Sequence, residues 1–212
     1  MPIDLKRVVG ATVIYRTYHL AADAINSTLQ YYPGMRMVVI DNTEKDFDKG
    51  REKIYDGLKG KIELIQVNQN IGHGPGIKRA MRRVDNGYLY LFDTDTKMYR
   101  PAMLERMAQV VGDNVFFGIG QLLTLTYQYK GKTLRYIHPA TCLLHLGTAK
   151  RLRWPIDHGD PLVETMLDIK EKKKEDWLVQ FPVGKFVNHR GRGSVNACRA
   201  SGVKPSFERK DK

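Results

Sequence analysis

The chain has 212 residues, 42% hydrophobic and 27% charged. This is a globular composition, long enough for one substantial core, and it excludes a disordered, collagen-like or disulfide-stapled chain. The net charge of +12 favours an anionic partner: nucleic acid, an anionic membrane face or a phosphorylated small molecule.

Residues 8–15 form a short apolar, β-branched run that predicts a buried strand, followed by the polar triplet Arg16-Thr17-Tyr18. Leu20, Ala21, Ala24, Ile25 and Leu29 recur at helical spacing, and Pro33-Gly34 then breaks the chain. Met37 to Ile40 predict a second buried strand ending at Asp41-Asn42. A mostly polar helix is predicted over 46–58, closed by Gly60, and a third strand over 62–67. Glycines at 72, 74 and 76 make a loop that leads into a basic helix over 77–84. Asn86-Gly87 turns the chain into a fourth strand over 88–92, which runs directly into Asp93-Thr94-Asp95.

Beyond that point the pattern changes. Residues 122–129 and 133–138 flank Lys130-Gly131-Lys132 and predict a hairpin, with a further strand over 140–146. Asp160 and Pro161 suit the cap and first position of a helix reaching 172. Short strands are predicted over 177–181 and 186–188. Between Lys185 and Lys212 eight basic residues face two acids, so half of the net charge lies in the last 28 residues. The expected organisation is one domain over 1–190 and a basic tail over 191–212. No 18-residue apolar run is present, residues 1–7 lack the layout of a secretory signal, and Cys142 and Cys198 lack metal-like spacing. The expected setting is the cytoplasm, that of a host cell if the chain is viral, with free thiols and no transmembrane segment, though peripheral membrane contact stays open.

Strands alternating with helices imply βαβ units and a mainly parallel sheet. Ligands of such sheets bind beyond the carboxyl ends of the strands. Three polar clusters fall there: Arg16-Thr17-Tyr18, Asp41-Asn42 and Asp93-Thr94-Asp95. A D-x-D pair holds a divalent cation through hard oxygens, and the cation can bridge a diphosphate; read alone, the triplet also suits a capped turn. The glycine loop lets backbone approach phosphates. It has neither Walker A spacing nor the dinucleotide fingerprint.

The order of these motifs resembles the GT-A fold of family 2 glycosyltransferases over about residues 8–110. Val13-Ile14-Tyr15-Arg16-Thr17-Tyr18 is similar to the family's opening V-I-x-x-T-Y. Val38-Val39-Ile40-Asp41-Asn42 matches its second strand, whose Asp contacts the nucleotide base. Asn70-Ile71-Gly72 followed by Lys78 or Arg79 matches an N-x-G segment leading to a basic helix, and residues 88–95 match the strand ending in D-x-D. The resemblance implies a mixed, mainly parallel Rossmann-like sheet with flanking helices and a small C-terminal acceptor-side region. It also implies inverting transfer of a sugar from a nucleotide-diphosphate donor, a UDP-sugar being favoured, with Mn²⁺ or Mg²⁺ at Asp93 and Asp95. Asp157-His158-Gly159-Asp160 resembles the family's acidic motif with Gly in place of Glu, which makes Asp160 the base and Asp157 the reserve. His189, before a Gly/Ser loop, is similar to the family's late His, a metal ligand or phosphate contact. Arg190 or Arg192 suits a diphosphate clamp.

The acceptor stays open at this point. A saccharide or lipid-linked acceptor at an anionic membrane surface fits the basic tail, and so does DNA carrying a hydroxymethylated base. The tyrosines 127, 129 and 136 and Trp154 suit base stacking or ordinary packing. A nucleotidyltransferase would need a second carboxylate cluster. A non-enzymatic nucleic-acid-binding protein would account for the charge but not for the ordered strand ends.

Overall fold

The structure, a computed structural model, describes residues 3–85, 87–127, 132–155 and 160–191, with only the backbone of 126, 127 and 132. Seven strands form one sheet in the order β3-β2-β1-β4-β7-β6-β8. They are β1 (Val8–Ile14), β2 (Arg36–Asp41), β3 (Glu63–Gln66), β4 (Tyr88–Phe92), β6 (Gly118–Tyr127), β7 (Lys132–His145) and β8 (Leu178–Gln180). β1 pairs in parallel with β2 and β4, and β2 with β3. β7 runs antiparallel to both β4 and β6, and β8 parallel to β6. A separate ribbon joins β5 (Thr96–Met98) to β9 (Val187–His189).

Both faces of the sheet are covered because successive side chains point to opposite sides and both sets are apolar. From β2 and β4, Met37, Val39, Tyr88, Tyr90 and Phe92 enter one core with α1 (Tyr18–Tyr31), α2 (Glu52–Tyr55) and α4 (Met103–Val111). Val38, Ile40, Leu89 and Leu91 enter the other with α3 (His73–Met81), α5 (Leu146–Ala149) and α6 (Val163–Glu171). Among the described residues no helix is long and apolar enough to cross a membrane.

Four expectations change. The basic helix expected over 77–84 begins at His73 and ends at Met81, so Gly74 and Gly76 lie within α3 and not in the loop before it. The helix over 46–58 shrinks to the four residues of α2. Gly50 takes a positive φ of 79°, and Arg51 donates to the carbonyls of Glu44 and Phe47, closing a loop instead of a helical turn. The strand over 140–146 is the far end of β7, continuous with the second arm of the predicted hairpin across a register shift between Gly120 and Leu122. Asp160 does not cap α6, which begins at Val163 with Leu162 in the cap position; its carbonyl accepts instead from Val163 N–H.

Candidate active site

The reversal of direction between β4 and β7 builds the centre of the site. Phe92 lies opposite Thr141, and the next amide, that of Asp93, donates to Ala140 O at 3.0 Å. The chain then leaves the sheet in a tight turn: Thr96 donates to Asp93 O through its amide (3.2 Å) and its hydroxyl (2.7 Å). β5 follows and pairs with β9, setting Thr96 against His189. One further bond, Arg190 N–H to Asp95 O at 3.1 Å, closes the ribbon at this end. His189 Nε2 is thereby held 3.2 Å from Asp95 Oδ1 and 3.9 Å from Asp93 Oδ2. The hydrogen bond to Asp95 raises the His189 pKa above its ordinary value against the opposing effect of burial, and the charges of Asp95 and Asp93 act in the same direction.

Ligand atoms of Asp93, Asp95 and His189 all lie within 4.8 Å of one another. Opposite ligands of an octahedral ion with ~2.1 Å bonds are about 4.2 Å apart, so the cluster matches a small divalent cation. Two carboxylates and one imidazole suit Mn²⁺ as well as the harder Mg²⁺. Thr94, between the two acids, accepts from the buried Thr17 hydroxyl at 3.0 Å, which ties the triplet to the start of α1.

The ends of β1 and β2 form a frame around this centre. Arg16 sits at a positive φ of 57°, a conformation that costs a non-glycine residue energy. Its amide donates to Thr43 Oγ1 and its Nε to Glu44 Oε2 (2.9 Å), and its guanidinium lies 5.4 and 5.1 Å from the Tyr15 and Phe47 rings. Asp41 is 1% exposed. Its carboxylate takes the hydroxyls of Tyr18 (2.8 Å) and Tyr55 (2.9 Å) and the Thr43 amide (2.9 Å).

The glycine loop closes the third side. Asn70 Oδ1 accepts from Gly72 N–H, and Gly72, at φ 95° and ψ 163°, is the cap of α3. That backbone conformation is open essentially only to glycine. α3 then starts with His73, whose Nε2 is 3.5 Å from Asp93 Oδ1. Five residues on, the Lys78 ammonium lies over the Trp154 ring at 5.7 Å, and the Arg82 guanidinium lies over the same ring at 5.8 Å. Like charges at this spacing repel by roughly 0.2–0.5 kcal/mol; cation–π attraction of roughly 0.5–1 kcal/mol offsets it.

The fourth side is open. A cleft of about 750 Å³ is lined by His189, His138, Lys97, Gln121, Asn188 and Tyr99, among others. The His138 and His189 rings are 5.5 Å apart. Burial pushes the His138 pKa down and His189 adds to this, against the pull of Asp93, Asp160 and Asp95. Asp160 is half-buried just ahead of α6, close enough to Tyr136 and His138 to act on both electrostatically. Tyr136 is 2% exposed and belongs to the core. Asp157 and Arg192, and with them Tyr129, lie outside the described residues, as does the side chain of Tyr127. Sequence reasoning did not select His73 or His138. His73 had one usable signal, a histidine at a helix start beside a phosphate-type loop.

The profile of glycosyl transferase family 2 matches residues 11–152, and the chain belongs to that family. Comparison with curated protein sequences finds no match. Similar solved structures include the mannosyltransferase PcManGT from Pyrobaculum calidifontis in complex with GDP-Man and Mn²⁺, at 13% identity and TM-score 0.62, covering 95% of this chain and 66% of that one. S. aureus TarS 1-349 in complex with UDP-GlcNAc gives 13% identity and TM-score 0.55, covering 76% and 52%. Glucosyl-3-phosphoglycerate synthase from Mycobacterium tuberculosis, in complex with Mn²⁺, UDP and glucosyl-3-phosphoglycerate, gives 11% and 0.62, covering 94% and 81%. At these identities the likeness is one of fold, the GT-A arrangement. The chain spans 66% of PcManGT and, in the two structures of TarS 1-349, 52% and 63% of that chain.

Proposed function

We propose that this chain is a metal-dependent, inverting glycosyltransferase that moves a sugar from a nucleotide-diphosphate donor, with UDP-sugars favoured, to an acceptor hydroxyl. The observation that carries the reading is the Asp93–Asp95–His189 cluster at the carboxyl end of β4, assembled by the β5–β9 ribbon. When bound there, Mn²⁺ or Mg²⁺ would neutralise the charge that develops on the diphosphate leaving group. Arg16, Thr17, Tyr18 and Asp41 frame the nucleotide side, with Asn70, Gly72, Lys78 and Thr94 shaping the phosphate side. Arg190 and Arg192 supply further cationic donors. Asp160 accepts the proton of the acceptor hydroxyl as that oxygen bonds to the anomeric carbon and the bond from this carbon to the diphosphate breaks, with Asp157 as the reserve base. The catalytic domain takes in residues 1–190, and the basic segment 191–212 extends it toward the acceptor, in a cytoplasmic setting. The acceptor favoured by the cationic excess is a hydroxymethylated base in DNA. A nucleotidyltransferase reading lacks its second carboxylate cluster among the described residues.

The test is thermal denaturation with UDP and other nucleoside diphosphates, with and without Mn²⁺. Metal-dependent stabilisation by a nucleotide is expected, and its absence for every nucleotide ends this reading. Asp95→Ala should abolish the metal effect. Asp160→Ala should keep donor binding and lose turnover, scored by mass spectrometry of products from a donor-by-acceptor panel that includes hydroxymethylated DNA.

A further inference from the structure

Among the described residues a dense positive surface lies on the C-terminal end of α3 and on the segment that follows α5. Residues 78–84 hold four cations and residues 146–155 hold three, and neither stretch contains an acid. The fold brings the two together. Lys78 and Arg82 share the Trp154 ring, and the Lys150 ammonium bonds the carbonyl of Asp85, three residues past Arg82. Arg83 is paired with Glu63, and Arg153 with Glu164 and Glu171. Lys78, Arg79, Arg82, Lys150 and Arg151 have no ion-pair partner among the described residues.

We propose that this face of α3, with residues 150–154, docks the phosphodiester backbone of nucleic acid. Three observations favour that partner over a lipid surface. Arg79 in the last turn of α3 and Arg82 at its cap stand one turn apart, a spacing of about 5–6 Å between neighbouring side chains that suits successive phosphates. Trp154 is only partly exposed and is roofed by two cations, so it offers no apolar side chain for a bilayer. Among the described residues the exposed large hydrophobic ones, Tyr99, Val110 and Val115, all lie outside these two segments. The surface also sits usefully: α3 begins at His73, against Asp93, and Arg82 is about 13 Å further along the axis at 1.5 Å per residue. A duplex docked on the basic end would lie within one helix length of the metal cluster. The inference rests on charge and shape and stands whether or not sugar transfer occurs, because the binding needs no donor.

The test is fluorescence anisotropy of the full chain with a labelled 20-base-pair DNA duplex, without nucleotide or metal. With four phosphates engaged, affinity should fall about a hundredfold between 50 and 200 mM NaCl. The combined variant Arg79→Gln, Arg82→Gln, Arg151→Gln should bind at least tenfold more weakly at 50 mM and lower the log–log salt slope by about 2.7. A variant with Arg199, Lys204, Arg209 and Lys210 changed to Gln should keep the larger part of the affinity. The proposal is overturned if the first variant binds like the parent while the second does not. It is equally overturned if phosphatidylserine vesicles bind the chain and the duplex does not. Should the first variant fail to fold, Trp177→Phe leaves Trp154 as the sole tryptophan. The duplex must then alter its emission and shield it from iodide, and an unchanged signal overturns the proposal.

Discussion

At the scale of single residues, His189 serves two masters. Without a cation its proton is favoured, because Asp95 hydrogen-bonds it and Asp93 adds a second negative charge. A histidine whose folded pKa is raised contributes stability that is fully present below its unfolded value, near 6.5, and is lost as pH rises through the folded value. A metal ligand must instead be neutral. The two trends oppose each other. The melting temperature of the metal-free chain should therefore lose a His189-dependent increment as pH rises through the raised pKa. The increase on adding Mn²⁺ should grow over the same range, above about pH 6.5. Differential scanning fluorimetry measures both, and His189→Ala should flatten the first and strongly reduce the second. An Mn²⁺ effect of equal size at pH 6 and pH 8 would remove His189 from the ligand set.

At the scale of elements, what could be read from sequence follows from how local the signal is. β4 reads residue for residue, since it is apolar on both faces and bounded by Gly87 and Asp93. The polar strand ends were readable for the same reason, as sharp changes of character after buried runs. β5 and β9 hold only three residues each and find each other across about ninety residues of chain, so no local periodicity reveals their pairing or the placement of His189. His138 lies within the long β7, which a sequence pattern divides in two, and its role depends on the antiparallel register that brings Ala140 to Asp93. The close seating of α3 was likewise hidden, and it has a measurable consequence. A Cβ on Gly76 would stand 2.7 and 3.0 Å from the two Val13 methyl groups and 3.3 Å from Asn42 Nδ2. Gly76→Ala must push α3 off β1, and overpacking of this kind costs about 1–3 kcal/mol. Because His73 opens the same helix, the shift also moves it relative to Asp93. Urea denaturation should give a lower midpoint and fluorimetry a smaller Mn²⁺ effect; an unchanged midpoint would mean that α3 does not pack as described.

For the whole molecule, the balance of 35 cations against 23 acids acts on stability as well as on partners. Exposed pairs such as Arg36–Glu63 contribute only about 0–1 kcal/mol each and weaken with salt, so they make salt slightly destabilising. Self-repulsion among the surplus cations works the other way. It extends over many residues, and at low ionic strength it reaches across the surface, with a screening length of about 30 Å at 0.01 M against about 10 Å at 0.1 M. The unpaired cations of α3 and of residues 150–151 belong to this surplus, and so does the basic run after Lys185. With twelve net positive charges, repulsion outweighs the few acid–base pairs. The melting temperature should therefore rise between 20 and 300 mM NaCl, without metal or nucleotide. A net gain of about 1 kcal/mol corresponds to roughly 2–4 °C for a domain of this size. The variant lacking Arg79, Arg82 and Arg151 should start from a higher melting temperature at low salt and gain less on salt addition. A melting temperature that falls with salt would show instead that the surface pairs dominate and that the positive charge carries no cost for the fold.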